Sequence, residues 1–269
     1  MALVPFPSTT TGDDEDPETA DDSSGKMSFL EHLDELRKRL IYVVYSLIAG
    51  CIIAFIFIGK VFDFIMKPMY LMLATEGTGA KLMYTAGPEP FMLHIKIGFL
   101  AGIFIASPLI LWQLWKFIAP GLYSHEKKFA IPFVMMSTFF FVAGGLFAHY
   151  VAFPVTWNFF LGFGNDYMVF MPKIDEAFSL YTKLLLGMGA IFEMPTLVLF
   201  LARMGVVTAR LLIKYFKYAL LAIFIIAAIL SPGTDVASQL VMAVPMILLY
   251  GVSIIVAFIF QKRRKPLDD

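Results

Sequence analysis

Six runs of apolar residues, separated by short polar stretches, divide the chain between residues 41 and 260. They cover Ile41 to Ile58, Phe91 to about Ile118, about Phe129 to Phe153, about Ala177 to Ala202, Tyr218 to Leu230 and about Val236 to Phe260. Runs near the roughly 20 residues that a helix needs to cross a bilayer read as membrane spans rather than as a core. The expected fold is therefore an all-α integral membrane protein with six transmembrane helices. The fifth run is short, about 20 Å of helix at 1.5 Å per residue. Such a span should thin the bilayer locally or lean on Lys214, Tyr215 and Lys217 beside it.

The segments between the runs carry their own patterns. Ser28 and Glu31 form a capping box, so a helix is expected to start at Ser28. Leu33, Leu36 and Leu40 then share one face, which predicts a helix lying along the membrane surface before turning into the first span. Between the first two runs, Val61, Phe62, Ile65, Met66, Met69, Leu71 and Met72 predict a short amphipathic helix, broken at Pro68, that caps the outer surface. Pro120 and Gly121 stop the second span. Pro108, Pro154 and Pro245 predict shaped or kinked spans. Gly98 and Gly102, a GxxxG pair, would allow a close helix approach.

Composition agrees with the runs: hydrophobic residues make up 59% of the chain and charged residues 16%, with a mean hydropathy of +0.78. The net charge is zero, yet the cations are unevenly placed. Arg37, Arg39, Arg203, Arg210, Arg263 and Arg264, with Lys116, Lys127, Lys128, Lys214 and Lys217, all fall on one set of loops if both termini are cytoplasmic. The positive-inside rule selects that orientation. Seven acids between Asp13 and Asp22 balance the charge without affecting topology. Residues 1–27 are expected to be a disordered acidic cytoplasmic tail, residues 28–265 the membrane domain, and residues 266–269 a cytoplasmic end. The tail has no basic start followed by an apolar core, so it is not a signal peptide. The single cysteine, Cys51, lies inside the first span and reads as a packing residue. No metal-ligand spacing, nucleotide loop or nucleophile elbow is present, so neither an enzyme, a cofactor nor a nucleic-acid partner is expected.

Three carboxylates then stand out. Glu193 lies inside the fourth run, where a charge costs roughly 2.5–3.5 kcal/mol on insertion scales. Pro195 removes a backbone donor two residues later, so a kink or a polar opening is expected there. Glu193 reads either as a buried packing group or as part of a polar cavity. Lys96 is a candidate counter-ion, but its place near the outer end of the second span favours snorkelling. Glu35 reads either as a binding group or as an i,i+4 partner of Arg39. Glu126, in the loop after the second span, reads as a solvated turn charge when taken alone.

Taken together, four segments resemble the TatC family, the multi-span core subunit of the twin-arginine protein export system. They are His32 to Leu40, Ser107 to Lys128, Phe192-Glu193-Met194-Pro195, and Ser231 to Gln239. The resemblance implies a concave, glove-like bundle in the bacterial cytoplasmic membrane that receives the signal peptides of folded precursors. It implies that Glu35 and Glu126 take the paired arginines, with Leu36, Phe117, Pro120 and Tyr123 in the same region. It further implies that Glu193 lies in the hollow face, and that single-span TatA/TatB-type subunits contact the region of Gln239 and Asp235. Self-association in a receptor complex and energy from the proton-motive force belong to the same expectation. The competing reading is a small-solute transporter or channel with Glu193 as ion or proton ligand. That class usually carries an internal repeat, and none is evident between the two halves.

Overall fold

The computed structural model describes residues 29–75, 82–118, 130–164, 171–231 and 236–260. Helix α1 (Phe29–Ile56) is followed by α2 (Ile58–Thr75) and α3 (Glu89–Ile118). Next come α4 (Ala130–Phe147), a π-helical turn (Ala148–Ala152) and α5 (Phe153–Leu161). The chain continues through α6 (Ile174–Phe192), α7 (Met194–Arg203), α8 (Ala209–Lys214), α9 (Phe216–Leu230) and α10 (Val236–Phe260). Among the described residues, five helical stretches are long and apolar enough to cross a membrane: 32–56, 89–118, 131–161, 174–203 and 238–260. Helix α9 is the shorter apolar helix, and its 15 residues reach about 22 Å, less than the ~30 Å hydrocarbon core. Lys214 and Lys217 sit over the rings of Tyr215 and Tyr218 at its start, at 5.7 and 5.1 Å.

Three expectations about helix ends are corrected. Helix α1 passes without interruption from the charged stretch into the apolar one, where a turn ahead of the first span was expected. No Gly or Pro occurs between residues 29 and 48, so nothing interrupts its i→i−4 ladder. Leu33, Leu36 and Leu40 are exposed along it. Helix α2 is not broken at Pro68, which lies inside it. Ile65, Met69 and Leu73 are buried on both sides of that proline. At roughly 1.5–3 kcal/mol for each buried side chain, they offset the ~3 kcal/mol that an interior proline costs. The third run does not end at Phe153 but stays helical to Leu161. The π turn shifts the register just before Pro154, which then sits in the first turn of α5, where its missing N–H removes no bond. The capping box at Ser28 and Glu31 lies outside the described side chains, and the acidic tail lies outside the described residues.

Glycines set the closest approaches. A Cβ on Gly50 would lie 2.5 Å from the Gly102 carbonyl oxygen, and one on Gly102 would lie 2.6 Å from Cys51 Sγ. A Cβ on Gly98 would lie 2.6 Å from the Phe55 ring, so the GxxxG face of α3 is the seat of α1, as its spacing suggested. On the other side of the bundle, a Cβ on Gly144 would meet the Met188 carbonyl at 2.5 Å, which fixes α4 against α6.

The largest buried cluster joins Ile65 and Met69 of α2, Leu93 and Ile97 of α3, Phe153 and Trp157 of α5, Tyr181 and Met188 of α6, and Met242 and Met246 of α10. A second cluster packs Leu111 and Trp115 of α3 with Phe133 and Val134 of α4 and Leu199 and Phe200 of α7. Its rings form a triangle, with Trp115 4.9 Å from Phe200 and 5.5 Å from Phe133, and the latter two 5.9 Å apart. A third joins Val198 and Ala202 of α7, Ala209 of α8 and Ala257 of α10. At the start of α3 and α6 a two-residue parallel bridge forms: Met83 N–H donates to the Pro172 carbonyl at 3.1 Å, and Ile174 N–H to the Met83 carbonyl at 2.9 Å.

Candidate functional site

Glu35 lies near the start of α1, and its carboxylate is oriented by Arg39 one turn on. Arg39 Nη2 donates to Glu35 Oε1 at 2.9 Å, while Nη1 donates to Gln113 Oε1 on α3 at 3.3 Å. The i,i+4 pair read from the sequence is thus formed, and it also clasps α1 to α3. The Glu35 side chain is 16% exposed, and its Oε2 is buried with no hydrogen-bond partner, as is Arg39 Nε. One turn earlier His32 stacks on Phe117, ring centroids 4.6 Å apart and planes 21° from parallel. Leu36 is exposed beside them. Helices α1 and α3 therefore bring Glu35, Leu36 and Phe117 to one end of the bundle. Pro120, Tyr123 and Glu126 follow α3 but lie outside the described residues.

The support for this end is the Trp115 triangle, two residues from both Gln113 and Phe117 on α3. Sequence reading quoted Gln113 and His32 within a motif but assigned them no part. An amide one helical turn before Phe117 was the available signal for Gln113, but its partner Arg39 is 74 residues away.

Glu193 occupies the break between α6 and α7. Its N–H donates to the Ala190 carbonyl at 3.2 Å, and α7 restarts with Leu197 N–H on the Glu193 carbonyl at 2.9 Å. Pro195 stands in the first turn of α7, where its missing donor is harmless; the discontinuity expected from Glu193 and Pro195 is present. Ser137 Oγ donates to Glu193 Oε2 at 2.6 Å, and Glu193 Oε1 is buried without a partner. This pairing follows from the Gly144 contact. Ser137 is seven residues, two turns, before Gly144 and so on the same face of α4, while Glu193 lies five residues beyond Met188 on α6. The hydroxyls of Thr138 and Thr196, neighbours of the pair along α4 and α7, are also buried and unpartnered. Buried polar groups thus interrupt an otherwise apolar interior at the break between α6 and α7. Ser137 escaped notice in the sequence because one hydroxyl in an apolar run carries no pattern.

Lys96 does not pair with Glu193. It pairs with Asp175 at the start of α6, which fits the snorkelling expected of it. Gln239 lies on α10, and its Nε2 donates to the Phe224 carbonyl of α9 at 2.9 Å, tying the short helix to the long one. Asp235 lies outside the described residues. Among the described residues no group of three His, Cys, Asp or Glu is placed to hold a metal, and Cys51 is unbonded against Gly102.

Comparison with known proteins agrees with this arrangement. The family model "Sec-independent protein translocase protein (TatC)" matches residues 31–245. A protein of that name from Koribacter versatilis is 39% identical over 239 residues, 89% of this chain and 88% of the relative. One from Aquifex aeolicus is 37% identical over 244 residues, 90% of this chain and 99% of its own length. Two crystal structures of "Twin Arginine Translocase Receptor- TatC", one in DDM, superpose with TM-scores of 0.72 and 0.74 at 39% and 38% identity. Each covers 84% of this chain, and 98% and 99% of the respective solved chain is matched. An all-helical bundle with several apolar spans, a family match over most of its length and relatives matched nearly end to end place the chain in the TatC family of Sec-independent protein translocase proteins.

Proposed function

We propose that this chain is the receptor of twin-arginine export, taking the paired arginines of a precursor's signal peptide on Glu35 and Glu126. Family membership makes it a non-enzymatic component of protein transport. The observation that carries the receptor reading is the state of Glu35. Its carboxylate is largely buried, oriented by Arg39, and keeps one oxygen without a hydrogen-bond partner. A guanidinium's planar fork can donate charge-assisted hydrogen bonds to the oxygen that Arg39 leaves open, a geometry that the point charge of lysine cannot copy. Leu36, Phe117, Pro120 and Tyr123 would line the peptide's path, with the His32–Phe117 stack as its floor.

The same reading has six spans, both termini in the cytoplasm of a bacterium, a concave glove-like bundle and an acidic tail outside it. Hydropathy and the placement of the arginines support it. Glu193, with Ser137, would keep a polar patch in the hollow face for an entering signal peptide or partner helix. Single-span TatA/TatB-type subunits would dock near Gln239 and Asp235, with receptor chains self-associating and the proton-motive force supplying energy.

The test is a photo-crosslinker placed at Leu36 and at Tyr123, presented with a twin-arginine signal peptide and with its twin-lysine counterpart. Capture of the first and loss of the second is expected, with both lost in Glu35→Ala/Glu126→Ala. Equal capture of the two peptides, or normal export in the double variant, overturns the assignment.

A further inference from the structure

A groove between α3 and α6 holds chemistry that the receptor site does not use. Its volume is about 620 Å³, and it extends along Ile95 to Ile103 of α3 and Phe178 to Leu186 of α6. Both helices start at the end joined by the Met83–Lys173 bridge, so they run in the same direction. The walls are apolar, but Lys96, Ser179, Thr182 and Lys183 also face the groove.

Charge in the groove is unbalanced. Lys96 is paired with Asp175, while Lys183 is exposed and makes no ion pair among the described residues. The carboxylate of Asp175 thus serves Lys96, and Lys183 is left without an ion-pair partner among the described residues. Lys96 lies seven residues inside α3 and Lys183 nine inside α6, at depths of about 10 and 14 Å from the helix starts. Side chains on a helix tilt toward its N-terminus, so both stems carry their charges back toward the bridged end. A cation within a span needs water, a carboxylate or another anion beside it. Thr182 Oγ1 next to Lys183 is buried and has no hydrogen-bond partner.

Charge and lining select the occupant: the groove offers about 12 Å of apolar wall over eight helical rises, with an exposed cation beside it, which matches a headgroup phosphate joined to hydrocarbon. We propose that the groove binds an anionic glycerophospholipid, with its phosphate on Lys183 and Lys96 and an acyl chain along Phe99, Ile103 and Leu186. Basic pockets between spans hold anionic headgroups elsewhere by the same combination of charge and apolar wall.

The experiment reconstitutes the full chain in nanodiscs of equimolar phosphatidylglycerol and phosphatidylcholine, extracts it, and counts retained lipid by native mass spectrometry. Wild type should retain phosphatidylglycerol in preference. Lys183→Gln should lower that retention about fivefold, the effect of one cation near an anionic headgroup. Lys183→Arg should keep it, and Asp175→Asn should raise it by freeing Lys96. Equal retention of the two lipids by wild type, or unchanged retention in Lys183→Gln, overturns the proposal. So does a photo-crosslinker at Phe99 that captures a protein segment in place of lipid.

Discussion

Gly102→Ala tests how helix packing reaches the candidate receptor site. The added Cβ would lie 2.6 Å from Cys51 Sγ and 2.9 Å from the Cys51 Cα and backbone N. Carbon contacts settle at about 3.5–4.0 Å, so α1 must retreat from α3 by about 1 Å, since backbone atoms as well as a side chain are in the way. Over-packing of this kind costs about 1–3 kcal/mol. The retreat has a second effect about 16 Å along α3, eleven residues away at 1.5 Å each. There the Arg39–Gln113 hydrogen bond already stands at 3.3 Å, and a further ångström breaks it. Arg39 then loses its hold on α3, and Glu35 loses its fixed orientation. A weakening of about 1 kcal/mol in peptide binding, roughly fivefold in Kd, is expected. Chemical unfolding in mixed micelles measures the first effect, and fluorescence anisotropy of a labelled twin-arginine peptide the second. Gly59→Ala is the control, because nothing lies within 4 Å of its added Cβ. Unchanged stability in Gly102→Ala refutes the packing argument; lowered stability with full peptide affinity refutes the coupling to Glu35.

Three further outcomes follow from the site. Glu193→Gln keeps an acceptor for Ser137 and should retain most export, whereas Glu193→Leu strands the Ser137 hydroxyl at about 1–3 kcal/mol; an export assay that ranks Leu above Gln contradicts the polar-patch role. Trp115→Ala removes the apex of the aromatic triangle and should cost about 3–5 kcal/mol, measured by unfolding, with peptide affinity falling alongside. Gln239→Leu leaves the Phe224 carbonyl without its side-chain donor and should lower stability by about 1 kcal/mol, with protease cutting near α9 as the readout.

Much of the fold was legible because a bilayer enforces length and apolarity together, and the runs from residue 91 to 118 and from 236 to 260 appear almost unchanged as α3 and α10. Prolines misled where packing outweighed them. Pro68 sits inside α2 because Ile65, Met69 and Leu73 anchor both sides, and Pro154 is absorbed by the π turn before it. The site was legible in its carboxylates but not in their partners. Glu35 and Glu193 announce themselves as charges beside or inside apolar helices. Gln113 and Ser137 do not, because their roles arise from the register of one helix against another. That register is set by Gly102 and Gly144, whose contacts join segments about 50 residues apart in sequence.

The break at Glu193 divides more than a helix. The buried residues of α6, from Ala177 to Met188, all belong to the large cluster, whereas those of α7, Val198 to Ala202, belong to the two smaller ones. The boundary between hydrophobic units therefore coincides with the interruption of the backbone ladder, with a carboxyl–hydroxyl bond to α4 at the seam and Met194 packed against the clusters on both sides. Cooperativity along this span should stop at that seam: the end that carries Glu35 and Phe117 can soften, shift or unfold as one unit while the end that carries Tyr181 and Trp157 stays intact.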